Sequence, residues 1–153
     1  MTKKYATLCL ALMSFAMARA EVIVSSPDGR ISVDFEMKDG KPTYSVLYDG
    51  QVAIAPSALG LKTNMGDYTQ RLKWDKEKER TGEQHGSYVL PSLKEGQEHN
   101  FKMNTAILQF SQRERPVMEV EFRVSNRDVA FNYTLLPQRD TRSCVITEEA
   151  SAF

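Results

Sequence analysis

Cysteine and histidine are nearly absent: two of each in 153 residues. A zinc site needs several such ligands at short spacings. His85 and His99 have neither a second histidine nor a cysteine at that spacing, so both read as surface or loop residues and no metal site is expected in this chain. There is no glycine-rich phosphate loop and no His-Glu-x-x-His. No serine sits in a Gly-x-Ser-x-Gly elbow, so a serine–histidine–acid triad finds no support. Charge of one sign is lacking too, with 20 Lys and Arg against 20 Asp and Glu. A chain without a basic block offers no electrostatic footprint for nucleic acid. Beyond residue 20 no apolar run approaches the ~20 residues of a membrane-crossing helix, so no membrane partner is expected either.

What is present begins with a leader. Lys3 and Lys4 precede an uncharged apolar stretch from Tyr5 to Ala18, and Ala18-Arg19-Ala20 supplies the small-x-small pattern of a signal-peptidase site. Residues 1–20 therefore read as a signal peptide cleaved after Ala20, and residues 21–153 as one exported domain. Cleavage removes Lys3, Lys4 and Arg19, so 20 basic residues become 17 against 20 acidic ones and the net charge becomes −3. It also removes Cys9. Cys144 is then alone and reads as a small buried hydrophobe in a strand, with a reactive or intermolecular thiol as the alternative.

The dominant period in residues 21–153 is two. Ile31, Val33, Phe35 and Met37 alternate with polar residues, as do Met118, Val120, Phe122 and Val124. Val129, Phe131, Tyr133 and Leu135 form a third such face, and Tyr44, Val46, Tyr48 and Ala106, Leu108, Phe110 form shorter ones. Each reads as an antiparallel strand with one face on a core. Asp28-Gly29, Asp39-Gly40 and Asp49-Gly50 suit the left-handed positions of tight turns and predict a meander, and Ser125–Asp128 predicts another hairpin. Pro56, Pro91, Pro116 and Pro137 are placed between strands or at their ends. No helix is expected. Lys76–Arg80 is charged without an apolar stripe and reads as a solvated loop within an irregular stretch, 62–84. The prediction is an all-β antiparallel sandwich or barrel.

Candidate chemistry is sparse. Paired carboxylates carry glycoside hydrolysis, but Glu119 and Glu121 fall on the polar face of a strand, where solvation explains them. Glu148 and Glu149 follow Val145 and Ile146 at a strand end and read as surface or interdomain residues. Tyr44 and Tyr48 read as core, and Tyr88 offers a further flat face. Trp74, beside Lys73, Asp75 and Lys76, is the best candidate for contact with a sugar, although packing explains it too. Asn132-Tyr133-Thr134 matches a glycosylation sequon, a pattern too short to carry weight inside a strand. No catalytic residue is assigned.

Several segments, taken in order, carry a family likeness. Ser26-Pro27-Asp28-Gly29-Arg30-Ile31-Ser32-Val33, Asp39-Gly40-Lys41-Pro42-Thr43-Tyr44-Ser45-Val46 with Tyr48-Asp49-Gly50, and Pro56-Ser57-Ala58-Leu59-Gly60-Leu61 come first. Phe122-Arg123-Val124-Ser125-Asn126 through Val129-Ala130-Phe131-Asn132-Tyr133 follows, then Cys144-Val145-Ile146-Thr147-Glu148-Glu149-Ala150. Together they resemble the N-terminal domain of glycoside hydrolase family 97. The resemblance implies a β-sandwich similar to galactose mutarotase, incomplete at its C-terminal end, from periplasmic or secreted α-glucosidases and α-galactosidases of Gram-negative bacteria. It also implies a catalytic (β/α)-barrel and calcium in the full-length enzyme. Neither the family's catalytic nor its calcium-binding carboxylates map onto residues 21–153, so the chain alone is expected to be inactive and to carry no cofactor. Two functions stay open. One is a non-catalytic domain that supports the barrel and its oligosaccharide or glycoside site. The other is a stand-alone exported carbohydrate-binding module.

Overall fold

Glu21–Ser25 begins a run of four strands, and the turns between them explain why they stack as they do. In the computed structural model, which describes residues 20–89, 98–138 and 143–152, β1 (Glu21–Ser25), β2 (Ile31–Lys38), β3 (Lys41–Tyr48) and β4 (Gln51–Ala58) form an antiparallel meander in that order. The expected signal peptide, Ala18 included, lies outside the described residues; Ala20 is exposed at the head of β1. Asp39 and Gly40 both adopt positive φ (51° and 72°), as do Asp49 and Gly50 (49° and 77°). These are the backbone signs that two-residue hairpins with the strand's own twist require. The first turn is built differently. The Ser26 carbonyl accepts from the Gly29 N–H (2.9 Å), and the Ser26 hydroxyl donates to Asp28 (2.6 Å) and accepts from the Ile31 N–H (2.9 Å). Arg30 then reaches Asp49 with Nε and Nη2 (3.0 and 2.6 Å), tying the first turn to the third.

The next stretch is short and irregular: β5 (Leu61–Thr63), β6 (Gly66–Asp67) and β7 (Lys73–Trp74), then a single 3-10 turn at Lys76–Lys78. After it come β8 (Arg80–Val89), β9 (Glu98–Gln112), β10 (Arg115–Val124), β11 (Val129–Leu135) and β12 (Ile146–Glu149). The second sheet runs β11-β10-β9-β7, with β8 also on β9. β7 and β8 lie on the same side of β9, against Phe110–Ser111 and residues 98–107 respectively, so the 3-10 turn is a step within one interrupted edge. The expected loop at Lys76–Arg80 is therefore this turn plus the start of β8, and its charges stay outside because no residue of the turn is buried. A third, small sheet runs β12-β5-β6.

The core lies between the two large sheets. Val33 and Phe35 of β2 and Tyr44 and Val46 of β3 meet Leu108 and Phe110 of β9 and Met118, Val120 and Phe122 of β10. Ring contacts fix the facing: Phe35 on Phe110 (5.7 Å between centroids) and Tyr44 on Phe122 (5.7 Å) and Phe131 (5.4 Å). The alternating strands are thus the strands of an antiparallel β-sandwich, as the period of two implies.

Three expectations are corrected. Tyr48 is not core: at the end of β3 it lies past the opposing sheet, exposed, with the Arg30 guanidinium 4.6 Å above its ring. Cys144 is exposed, on the irregular segment before β12 rather than buried in a strand. Pro56 lies inside β4, not between strands. It is tolerated because β4 has a partner on one side only among the described residues, and its register with β3 breaks between Tyr44 and Val46, opposite Ala55 and Pro56. Pro91 lies outside the described residues.

Candidate functional site

Trp74 owes its position to the step between β7 and β8. It pairs with Phe110, and the following Asp75 N–H donates to the Gln109 carbonyl (2.9 Å) before the 3-10 turn lifts the chain off β9. The indole stands edge-on to Phe35 (5.0 Å, 71°) and is packed against the core. Lys76 places its ammonium 4.9 Å from the ring centroid and is itself ion-paired to Glu21. Among the described residues the buried indole Nε1 has no hydrogen-bond partner. A buried donor left unpaired costs free energy, so the ring is positioned by its apolar contacts and not by its N–H.

A cleft of about 570 Å³ opens at this step, lined by Trp74, Asp75, Lys76, Gln109, Ser111 and Glu114 among others. One Asp75 carboxylate oxygen accepts from the Ser111 hydroxyl and from Gln109 Nε2 (3.4 Å). The cleft therefore offers an aromatic edge, a lysine, a carboxylate and an amide, which can hold a polyhydroxylated ligand. Sequence reading passed over Gln109 and Ser111. Both sit on β9, Ser111 opposite Lys73 and Gln109 bonded through its carbonyl to the Asp75 N–H, relations that only strand pairing shows.

The other candidates are scattered. Glu119 and Glu121 lie on β10 and pair with Arg80 (2.9 Å) and Arg123 (2.8 Å). Glu148 and Glu149 are exposed and are the last two residues of β12, at the strand end as expected, and Glu148 holds Lys62 (2.8 Å), raising the lysine's pKa. Tyr88 stacks on His99 (5.5 Å, 23°) in the ribbon formed by β8 and the first part of β9. His99 is thus a partly buried strand residue, while His85 is exposed on β8. Asn132 is exposed on β11. Among the described residues no three His, Cys, Asp or Glu side chains come together as a group that could hold a metal ion.

Tyr133 is the polar hinge between the sandwich and the last segment. Its hydroxyl accepts from the Gly60 N–H (2.9 Å) and lies 2.6 Å from Ser151 Oγ, and burial pushes its pKa up. Tyr44 donates to the Ala152 carbonyl (2.9 Å).

A model of the Glycosyl-hydrolase 97 N-terminal family matches residues 24–153. The chain belongs to that family. Among solved structures, this family 97 domain is similar to a β-arabinopyranosidase at 30% identity and a TM-score of 0.78, over 86% of this chain and 20% of that one. It also shares its fold with a Glycoside Hydrolase Family 97 enzyme from Pseudoalteromonas sp. strain K8, at 23% identity and a TM-score of 0.72, over 84% of this chain and 19% of that one. That enzyme was solved with panose and with acarbose. The chain spans about a fifth of the length of these enzymes. The family's turn motifs now have a local reason: Ser26–Ile31 and the two Asp-Gly pairs are the turns that set the register of β1–β4.

Proposed function

We propose that this chain is the non-catalytic N-terminal domain of an exported α-glycosidase, bracing the catalytic barrel and helping to wall its sugar site. The observation that carries this reading is the family match across residues 24–153 in a chain that spans about a fifth of the related enzymes. The scatter of the carboxylates supports it, because glycoside hydrolysis needs two of them across one bond. Export, to the periplasm or beyond, is supported by the Lys3-Lys4 start, the apolar stretch and Ala18-Arg19-Ala20, followed at once by β1 from Glu21. Substrate, barrel and calcium belong to the full enzyme in this reading. In a gene that encodes both parts, deleting residues 21–153 should leave the barrel insoluble or poorly active. A soluble, fully active barrel without them would overturn the supporting role.

A second reading, a stand-alone carbohydrate-binding module, is favoured by the cleft at Trp74. Titration with maltose and with galactose separates the two. Saturable binding that disappears in Trp74→Ala favours the module, and no binding favours the supporting domain.

A further inference from the structure

A second cleft lies where the hairpin between β9 and β10 meets the loops on either side of β6. It has two lobes, of about 500 and 300 Å³, that share Met65, Gln112 and Arg113. Arg115 lines the larger lobe and Arg71 the smaller. These three guanidiniums are exposed and have no acidic partner among the described residues. Among the described residues, Asp67 is the one carboxylate on the lining. The Thr69 hydroxyl (2.6 Å) and Gln70 amide (2.7 Å) occupy it, and the hydroxyl first of all holds its pKa below the usual range. The cleft keeps a positive excess.

The backbone is unusual at the same place. Arg71, Arg113 and Glu114 take positive φ of 56°, 52° and 63°. At the β2–β3 and β3–β4 turns this chain meets that demand with Asp-Gly, the pair that bears it at least cost. Long side chains at left-handed positions carry backbone strain, and such strain clusters at functional sites. Two of the lining amides are held in place. Gln112 donates through Nε2 to the carbonyls of Asp67 (2.9 Å) and Gln70 (3.0 Å), and Gln138 to those of Pro116 (2.8 Å) and Leu136 (3.2 Å). Both Nε2 groups are spent and both orientations are fixed, which leaves each Oε1 as a pure acceptor.

We propose that this cleft binds an acidic sugar, its carboxylate on the Arg71, Arg113 and Arg115 guanidiniums and its hydroxyls donating to Gln112 and Gln138. A guanidinium fork matches a carboxylate with two parallel N–H bonds. The amide acceptors select further. A fully ionised sulfate has no proton to give them, and a neutral sugar has no charge for the arginines. A hydroxylated carboxylate satisfies both, with Met65 and Val117 as the apolar part of the lining. This site is separate from the cleft at Trp74 and does not depend on the supporting role proposed above.

Calorimetric titration of the purified chain with D-glucuronate, D-glucose and sulfate tests it. Glucuronate should bind saturably and at least about tenfold tighter than either other ligand, and Arg113→Gln/Arg115→Gln should weaken it by about tenfold or more while the urea midpoint stays put. Should the double variant unfold, Arg71→Gln is read in the same titration with the same expectation. Sulfate binding as tightly as glucuronate would reduce the site to a bare anion patch. Glucose binding equally, no ligand binding at all, or a variant that binds like the parent would also overturn the proposal.

Discussion

Tyr44 and Tyr48 lie four residues apart on the same face of β3, yet the sandwich treats them differently. Tyr44 is 2% exposed, packs on Phe122 and Phe131, and donates a hydrogen bond to Ala152. Tyr48 is 43% exposed, with the Arg30 guanidinium above its ring. Truncating a buried aromatic ring to alanine costs about 3–5 kcal/mol, the lost transfer term plus the cavity left behind. An exposed cation–π contact contributes about 0.5–1 kcal/mol. Tyr44→Ala should therefore remove a large part of a stability expected to be about 5–15 kcal/mol, and Tyr48→Ala very little. Tyr44→Phe separates ring from hydroxyl and should cost about 1 kcal/mol, the net worth of one hydrogen bond. Urea unfolding followed by fluorescence reads all three, because Trp74 is the single tryptophan and packs on Phe35. With a slope of about 2 kcal/mol per molar, Tyr44→Ala should lower the midpoint by roughly 2 M and Tyr48→Ala by less than about 0.5 M. Equal losses at the two positions, or the larger loss at Tyr48, would refute the placement of the opposing sheet.

At Gly60, φ is 136° and an added Cβ would stand 2.5 Å from the Tyr68 carbonyl oxygen and 2.8 Å from the Thr69 Cα. Gly60→Ala should cost at least about 2 kcal/mol in the same urea experiment, and a loss under about 0.5 kcal/mol would contradict the close approach. Trp74→Ala should cost about 2–4 kcal/mol through lost packing on Phe35, with the midpoint followed by circular dichroism; an unchanged midpoint would mean the ring is not packed. Burial raises the Tyr133 pKa above its ordinary 10.0, so the unfolded chain ionises first as pH rises. Its contribution is fully present below about pH 10 and is lost as pH climbs through the higher folded value. Tyr133→Phe should flatten the alkaline fall in stability, and an unchanged slope would show that the phenol is not desolvated.

The core strands could be read from sequence because one buried face imposes a period of two. β2, β3, β10 and β11 begin or end where Ile31, Tyr48, Val124, Val129 and Leu135 mark the alternation. Asp-Gly announced the first three turns because positive φ selects glycine. The hairpin at Arg113-Glu114 gave no such signal, since neither residue advertises the left-handed backbone it adopts. β8 was invisible for another reason: its residues are almost all exposed, so no face is written in apolar residues. Tyr48 misled because alternation says which way a side chain points and not where the opposing sheet stops. Trp74 stood out by composition alone. Its partners in the cleft, Gln109 and Ser111, come from a strand more than thirty residues away and become visible only through register. The arginine cleft joins four separate segments of the chain and has no linear motif.

The proposed role of this sandwich is to support catalysis without performing it. The direct measurement is release of nitrophenol by the purified chain from α-glucoside, α-galactoside and β-arabinopyranoside substrates, with and without calcium. The account predicts no release above buffer from any of them. Turnover that co-purifies with the chain would contradict it.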